Sequence, residues 1–333
     1  MPALLRPRLR PLRAGSARSG TGGASAEPTT PDIIDSSGIR WLDLERPRES
    51  DREWLEKEFG FHPLAIEDVA SRNQRPKLDA YDDYLFLVLH FGVFDKVAGR
   101  LLTVELDVFV GPDFVITLPD GPLPPIAAMF ERYRLNDELR ESVFSKGPGY
   151  LLYKIVDTAV DASFPQLRRM GEKLDRLEDD IFEGRSAEIV RDISNAKQEI
   201  INFRRIVRPM RAVLRDLERT KQRYLNEELD IYFDDITDAA ERIWDLLENY
   251  KEVVEGLEDS NESVLSHQLN ASLRVLTAFS VALLPLTLLA SVFGMNVPLP
   301  GQPGSAIEFW LILAVMIGTL GGVLFFFRKR GFL

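Results

Sequence analysis

Two stretches near the end of the chain, residues 275–293 and 309–327, carry no charged side chain, although Asp, Glu, Lys and Arg make up 28% of the sequence. Each holds 19 residues, enough for a helix to cross a hydrocarbon layer about 30 Å thick. A soluble core helix seldom runs that far without a charge. The pattern therefore predicts two membrane spans, and everything else in the chain must be arranged around them.

The flanks set the direction of crossing. Arg274 stands before the first span and Arg328, Lys329 and Arg330 follow the second, while the connection 294–308 has neither Lys nor Arg. Basic residues stay on the cytoplasmic side. Both termini and the large N-terminal part are thus expected in the cytoplasm, with the 294–308 loop outside, in a cell inner (plasma) membrane.

The remaining composition narrows the chemistry. The chain has no cysteine, which removes disulfides, thiolate metal sites and cysteine nucleophiles. The three histidines, His62, His90 and His267, are scattered. Formal net charge is −11, and the first 26 residues hold five arginines and no acid, so the rest is near −16. An acidic body does not suit nucleic acid and does suit cations. No nucleotide-binding GxxxxGK[ST] motif occurs, and no nucleophile–base constellation points to an enzyme.

Residues 1–30, rich in Arg, Gly, Ser and Pro, read as a disordered tail, with an organelle transit peptide as the other reading. Residues 31–149 alternate in short runs. "IRWLDLE", "YLFLVLHFGVF" and "LTVELDVFVGPDFVITL" read as strands, the last broken by a GPD turn. "RESDREWLEKEFG", "HPLAIEDVAS" and "PLPPIAAMFERYRLN" read as helices. This predicts a cytosolic α/β domain. Residues 150–225 read as a charged helical hairpin broken at Gly184. Its first helix carries Leu167, Met170, Leu174, Leu177 and Ile181, its second Ile189, Ile193, Ile200, Phe203, Ile206 and Met210. Residues 226–293 read as one stalk helix that becomes the first span, about 100 Å long if unbroken. Its apolar stripe runs through Ile236, Ile243, Leu246, Leu247, Tyr250, Val253, Val254, Leu257, Val264 and Leu265. The second span, 309–327, and a basic tail, 328–333, complete an α+β membrane protein.

One face of the long helix stays partly polar inside the membrane. Asp259, Asn270, Leu273, Leu276, Ser280, Leu284, Thr287 and Ser291 stand three, four or eleven apart. Polar groups in hydrocarbon are costly unless they face protein or water. Two readings stay open: hydroxyls that pack against a neighbouring span, or the lining of a watery path. Two spans cannot enclose such a path, so the second reading needs several copies around an axis, each position forming a ring. Neutral oxygen rings suit Mg²⁺, which gives up its water reluctantly, and the leucines supply a dewetting gate. Pro285 removes one helical hydrogen bond. Gly294 is expected to end the helix as a glycine cap and turn Asn296 toward the axis.

The motif Gly294-Met295-Asn296 after a first span, with a second span and the basic ending "RKRGFL", resembles the CorA divalent-cation channels. "HPLAIEDVASRNQRPKLDAYDDYLFLVL" and "LTAFSVALLPLTLLASVFGMN" are similar to two separated signatures of that family, in the same order. The resemblance covers residues 38–333. It implies a funnel-shaped homopentamer whose first span lines the pore and whose second surrounds it, with the Gly-Met-Asn loop selecting the hydrated ion at the outer mouth. It places Asn296, Thr287, Asn270 and Asp259 in the pore. Glu67, Asp68 and Asp235 resemble acids that bind regulatory Mg²⁺ between subunits, with Asp161 joining Glu67 by a looser alignment.

The resemblance thus implies passive Mg²⁺ import, with Co²⁺ or Ni²⁺ as further ions. A proton-coupled Zn²⁺ transporter of the ZntB type is the alternative on the same scaffold, and a membrane-anchored sensor that conducts nothing is a third. The outer loop "VPLPGQPGSAIEFW" departs from the acidic loop of many members, with Glu308 its only acid.

Overall fold

The structure is a computed structural model that describes residues 31–71, 74–95, 100–183, 186–220, 225, 227–295 and 306–329. The tail 1–30, Gly184, Asn296 and most of the outer loop lie outside these residues.

Six strands form one sheet: β1 (Asp32–Ser36), β2 (Ile39–Asp43), β3 (Lys77–Ala80), β4 (Leu85–Asp95), β5 (Arg100–Val110) and β6 (Phe114–Pro119), in the order β1-β2-β6-β5-β4-β3. All neighbours are antiparallel except β2 and β6. The period of two along each strand sends alternate side chains to opposite faces. On β4, Leu85, Leu87, Leu89 and Phe91 enter one core and Phe86 and Val88 the other. Both faces are covered, which is why β4, β5 and β6 read as nearly continuous apolar runs. The parallel β2–β6 pair is tied by a polar chain: the Trp41 indole donates to Thr117 Oγ1 at 3.0 Å, and the Thr117 hydroxyl donates to Asp43 Oδ1 at 2.6 Å. Burial, with smaller contributions from Asp32 and Glu45, pushes the Asp43 carboxyl up to about 6 against the pull of the Thr117 bond.

Helices α1 (Glu49–Phe59) and α2 (Pro63–Ala70) close one face around an aromatic core. There Phe61 stacks on Phe109 at 4.1 Å and meets Tyr84 at 4.8 Å. The other face is covered by α3 (Pro124–Leu135), α4 (Asp137–Phe144) and α5 (Pro148–Asp161). Leu151, Leu152, Ile155 and Val156 of α5 are fully buried in the sheet's larger core. The helix that begins at the expected start of the hairpin therefore belongs to the sheet layer. β1, β3 and α4 have no counterpart in the sequence reading.

The hairpin is α6 (Phe164–Glu183) and α7 (Ser186–Arg219), packed on α8 (Asp230–Phe293), one helix of 64 residues. The apolar positions read from the sequence on α6 and α7 are buried. On α8, Ile236, Ile243, Leu247, Val254 and Leu257 are buried, whereas Leu246, Val253 and Leu265 from the same expected stripe are exposed. The seam against α7 is narrower than the stripe. Outside it runs a ladder of ion pairs: Lys197–Glu258 at 2.6 Å, Arg204–Glu248 and Arg211–Glu241. The α7 members recur every seven residues and the α8 members descend in the opposite direction, as antiparallel helices require. Trp244 sits between the guanidinium groups of Arg204 and Arg211, 5.1 and 4.8 Å from its ring.

α9 (Ala306–Lys329) returns along the last part of α8. Gly294 caps α8, where a glycine cap was expected, with right-handed backbone, φ −86° and ψ −4°, rather than the left-handed form that glycine caps commonly take. A Cβ at this position would stand 2.9 Å from the Ala290 carbonyl oxygen. The lack of a side chain is used for close approach rather than for positive φ.

A polar stripe and two acidic sites

α8 and α9 are both long and apolar enough to cross a membrane. Where they pack, α8 presents Ala278 and Ala282, each 4% exposed. Such small residues let two spans approach closely. The half-buried face of α9 carries Ile312, Leu313, Met316, Thr319, Leu320 and Val323, the three- and four-residue spacing of one stripe.

The sequence-predicted lining residues lie elsewhere on α8. At about 100° per residue, Leu273, Leu276, Ser280, Leu284, Thr287 and Ser291 fall within about 40° of one line, roughly half a turn from Ala278 and Ala282. Asn270 and Asp259 stand about 60–80° round from that line on the same count. All eight are exposed in the single chain, Leu284 by 65% and Leu276 by 63%. The Ser280 hydroxyl donates to the Leu276 carbonyl and the Thr287 hydroxyl to the Leu284 carbonyl, each at 2.9 Å. Both side chains stay exposed, with no described span of the same chain against them. Met295 is exposed at the end of the helix, and Asn296 lies outside the described residues.

The four predicted cation ligands separate into two places. Glu67 and Asp68 are on α2, an eight-residue helix started by Pro63 and capped by His62, whose Nδ1 accepts from the Leu64 amide at 3.2 Å. Ala65 and Ile66 anchor the helix in the aromatic core, which leaves Glu67 exposed. Asp68 is held by Lys77 of β3 at 2.6 Å, and the same ammonium reaches Asp79 at 2.6 Å. A cation at Asp68 must therefore compete with a lysine of its own chain.

Asp161 ends α5, and Asp235 lies in the second turn of α8; both are exposed. Partial desolvation by the surrounding protein and then the like charges of Asp157 and Asp235 raise the Asp161 carboxyl, while Arg242 and Lys154 oppose them. With α5 docked on α8, Asp161 thus feels the charges of Asp235 and of Asp157, which the sequence reading passed over. Its signal was present: Asp157 and Asp161 are four apart on one helix and share a face. Clustered carboxylate oxygens that repel one another are the donor set a hard divalent ion takes up. Within one chain, no three Asp, Glu or His side chains among the described residues form a closed metal site.

The model of the CorA-like Mg²⁺ transporter protein family matches residues 36–329. YfjQ of Bacillus subtilis is 31% identical over 294 residues, which cover 87% of this chain and 89% of that protein. The cobalt/magnesium transport protein CorA of Thermotoga maritima is 29% identical over 308 residues, covering 92% and 85%. Among solved structures, the CorA magnesium transporter of Methanocaldococcus jannaschii superposes with a TM-score of 0.79 at 20% identity, over 90% of this chain and 93% of that one. That likeness spans the sheet domain, the long helix and the two apolar C-terminal helices together. With the family model matched over residues 36–329 and two membrane-length helices at the C-terminal end, the chain belongs to the CorA-like Mg²⁺ transporter family.

Proposed function

We propose that the chain forms a homopentameric channel that passes hydrated Mg²⁺, and Co²⁺ or Ni²⁺ with it, down the electrical gradient into the cytoplasm. The observation that carries this reading is the exposed stripe of Ser280, Thr287 and Ser291, set half a turn from the face that packs on α9. A packing role for these hydroxyls within the chain is not supported, because α9 lies on the other side. Five copies turn each position into a ring. The leucine rings at 273, 276 and 284 close the path by dewetting, and Gly294-Met295-Asn296 receives the ion at the outer mouth. A divalent ion gains roughly 4.6 kcal/mol per 100 mV on entry, so no further energy source is needed.

In this reading the termini are cytoplasmic, and Mg²⁺ between neighbouring cytosolic domains holds the ring shut. Glu67 and Asp68 of one subunit face Asp235, with Asp161, of the next. When cytosolic Mg²⁺ falls, the acids lose their counter-ion, repel, and loosen the ring.

The test is Mg²⁺ flux into proteoliposomes with internal free Mg²⁺ held at set values, and with a pH gradient imposed or abolished. The expected outcome is flux that ignores the pH gradient and shuts off with internal Mg²⁺. Asp235→Asn is expected to keep the flux and lose the shut-off. Dependence on the proton gradient together with Zn²⁺ flux overturns the Mg²⁺ channel in favour of the coupled Zn²⁺ reading, and no flux of any divalent ion overturns transport itself.

A further inference from the structure

Between α3, α4 and α5 lies a cleft of ≈ 540 Å³, within the range of small-molecule sites, about 300–1,000 Å³. Its polar lining differs in sign from the body around it. Arg132, Lys146 and Lys154 line it with a single acid, Asp157, in a chain whose net charge is −11. Arg132 and Lys146 make no ion pair to a described residue. Lys146 stands 4.3 Å and Lys154 5.9 Å from the same Tyr150 ring centroid, so the two ammonium groups are within about 10 Å of each other. The floor is rigid: Met129, Tyr133, Val143 and Tyr150 are buried members of the sheet's larger core. Three cations, Arg132 and Lys146 exposed and Lys154 half-buried, gather over a packed apolar wall with one acid among them, an arrangement that favours an anion.

We propose that this cleft binds a triphosphate-bearing ligand, and that its occupancy strengthens divalent-cation binding at the neighbouring Asp157, Asp161 and Asp235. Several closely spaced negative charges match Arg132, Lys146 and Lys154 better than a monocarboxylate does. The coupling runs through Lys154. Its ammonium lies 3.5 Å from Asp157, one helical turn before Asp161. A phosphate that engages Lys154 weakens this pair and returns the negative charge of Asp157 to the acidic group. The same segment also touches the pore helix, since Tyr150 and Tyr153 pack against Tyr232 of α8 at 5.3 and 4.9 Å. By linkage, a cation at the acids must tighten the anion by the same factor. This second part rests on the gating role proposed for Asp235; the anion site itself does not.

The experiment has two stages. Metal-free full-length protein is titrated by calorimetry at low salt with inorganic triphosphate and, separately, with a nucleoside triphosphate. Saturable binding is expected, weakened about tenfold or more by Arg132→Glu or by Lys146→Glu, as the loss of one charge-assisted contact implies. Equal affinity for the two ligands assigns recognition to the cationic rim alone, and tighter nucleoside binding adds the apolar floor; both uphold the site. No saturable binding, or binding that both charge reversals leave unchanged, overturns it. In the second stage, flux is measured with free Mg²⁺ clamped independently of the ligand. The ligand is expected to lower the Mg²⁺ needed for half-closure in the wild type and not in Lys146→Glu. An unchanged midpoint in the wild type overturns the coupling while leaving the channel reading intact.

Discussion

The two ends of α8 are one helix in two different situations. Its N-terminal part is finished by its own chain: α6 and α7 bury Ile236, Ile243, Leu247, Val254 and Leu257, and the ion-pair ladder closes the outside. Its membrane part is not. Beyond residue 261 only Ala278 and Ala282 of α8 are buried, both toward α9. Side chains as large as Leu276, Phe279, Leu284 and Leu288 stay open. The contrast teaches where the information for each half resides. The N-terminal half needs only intrachain packing, while the apolar half leaves most of its surface uncovered; in the proposed ring, lipid covers one side and further copies the other, with the polar stripe facing the copies.

The sharpest way to break this comparison is to fill the stripe. Thr287→Leu is expected to reduce Mg²⁺ flux in proteoliposomes at least about tenfold, because a ring of leucines joins the dewetted gate. Leu311→Ala, on the exposed face of α9, is expected to leave flux near the wild-type value. Equal loss in both places the hydroxyls among ordinary packing groups.

A second test asks whether the N-terminal half stands by itself. The Asp43 carboxyl is raised to about 6 in the folded chain, so the folded state holds its proton more tightly than the unfolded state does. Stability from this group is complete below pH ~4 and is lost as pH rises to about 6. Above that the penalty is on the order of 3 kcal/mol. Asp43→Asn is expected to remove this slope and raise the unfolding temperature of the sheet domain at pH 7, read by circular dichroism, with flux unaffected. An unaltered pH profile assigns the slope to other groups.

Overpacking the seam between the spans is the third. Ala278→Leu forces α8 from α9 and is expected to cost about 1–3 kcal/mol, seen as a lower melting temperature of the detergent-solubilised assembly. The smallest effect is expected from the ladder. Arg204→Met removes one partly exposed pair and a guanidinium over Trp244, at about 1 kcal/mol. A much larger loss would mean that the ladder, rather than the apolar seam, holds the stalk together.

The parts that were legible in the sequence are those where one residue's environment repeats along the chain. The strands β4 to β6, the helices α6 to α8 and both spans announce themselves by spacing or by absence of charge. What escaped depends on partners far away in sequence. β1 and β3 are short edges of four or five residues, which carry too few alternations to show a period. Leu246 and Leu247 look alike in the chain, and only the position of α7 decides which is covered. Asp68 read as a cation-binding acid, and its pairing with Lys77 was not legible because that lysine is nine residues away on a strand placed by the β3–β4 pairing. Gly294 read as the end of the helix and is its cap, but the constraint that favours glycine there, the approach of the Ala290 carbonyl, depends on backbone geometry that spacing does not reveal. At the acidic sites, Asp161 and Asp235 were legible as acids, but their grouping with Asp157 required α5 to dock against α8.

The continuity of α8 has a mechanical corollary. Sixty-four residues make a rod about 96 Å long. Pivoting such a rod by about 5° at the end near Tyr232 carries its outer tip about 8 Å sideways. In the proposed ring, subunits that part only slightly where the acids meet swing their distal ends across a distance comparable to an ion with its waters, so a lever turns a small loss of bound charge into a wide aperture.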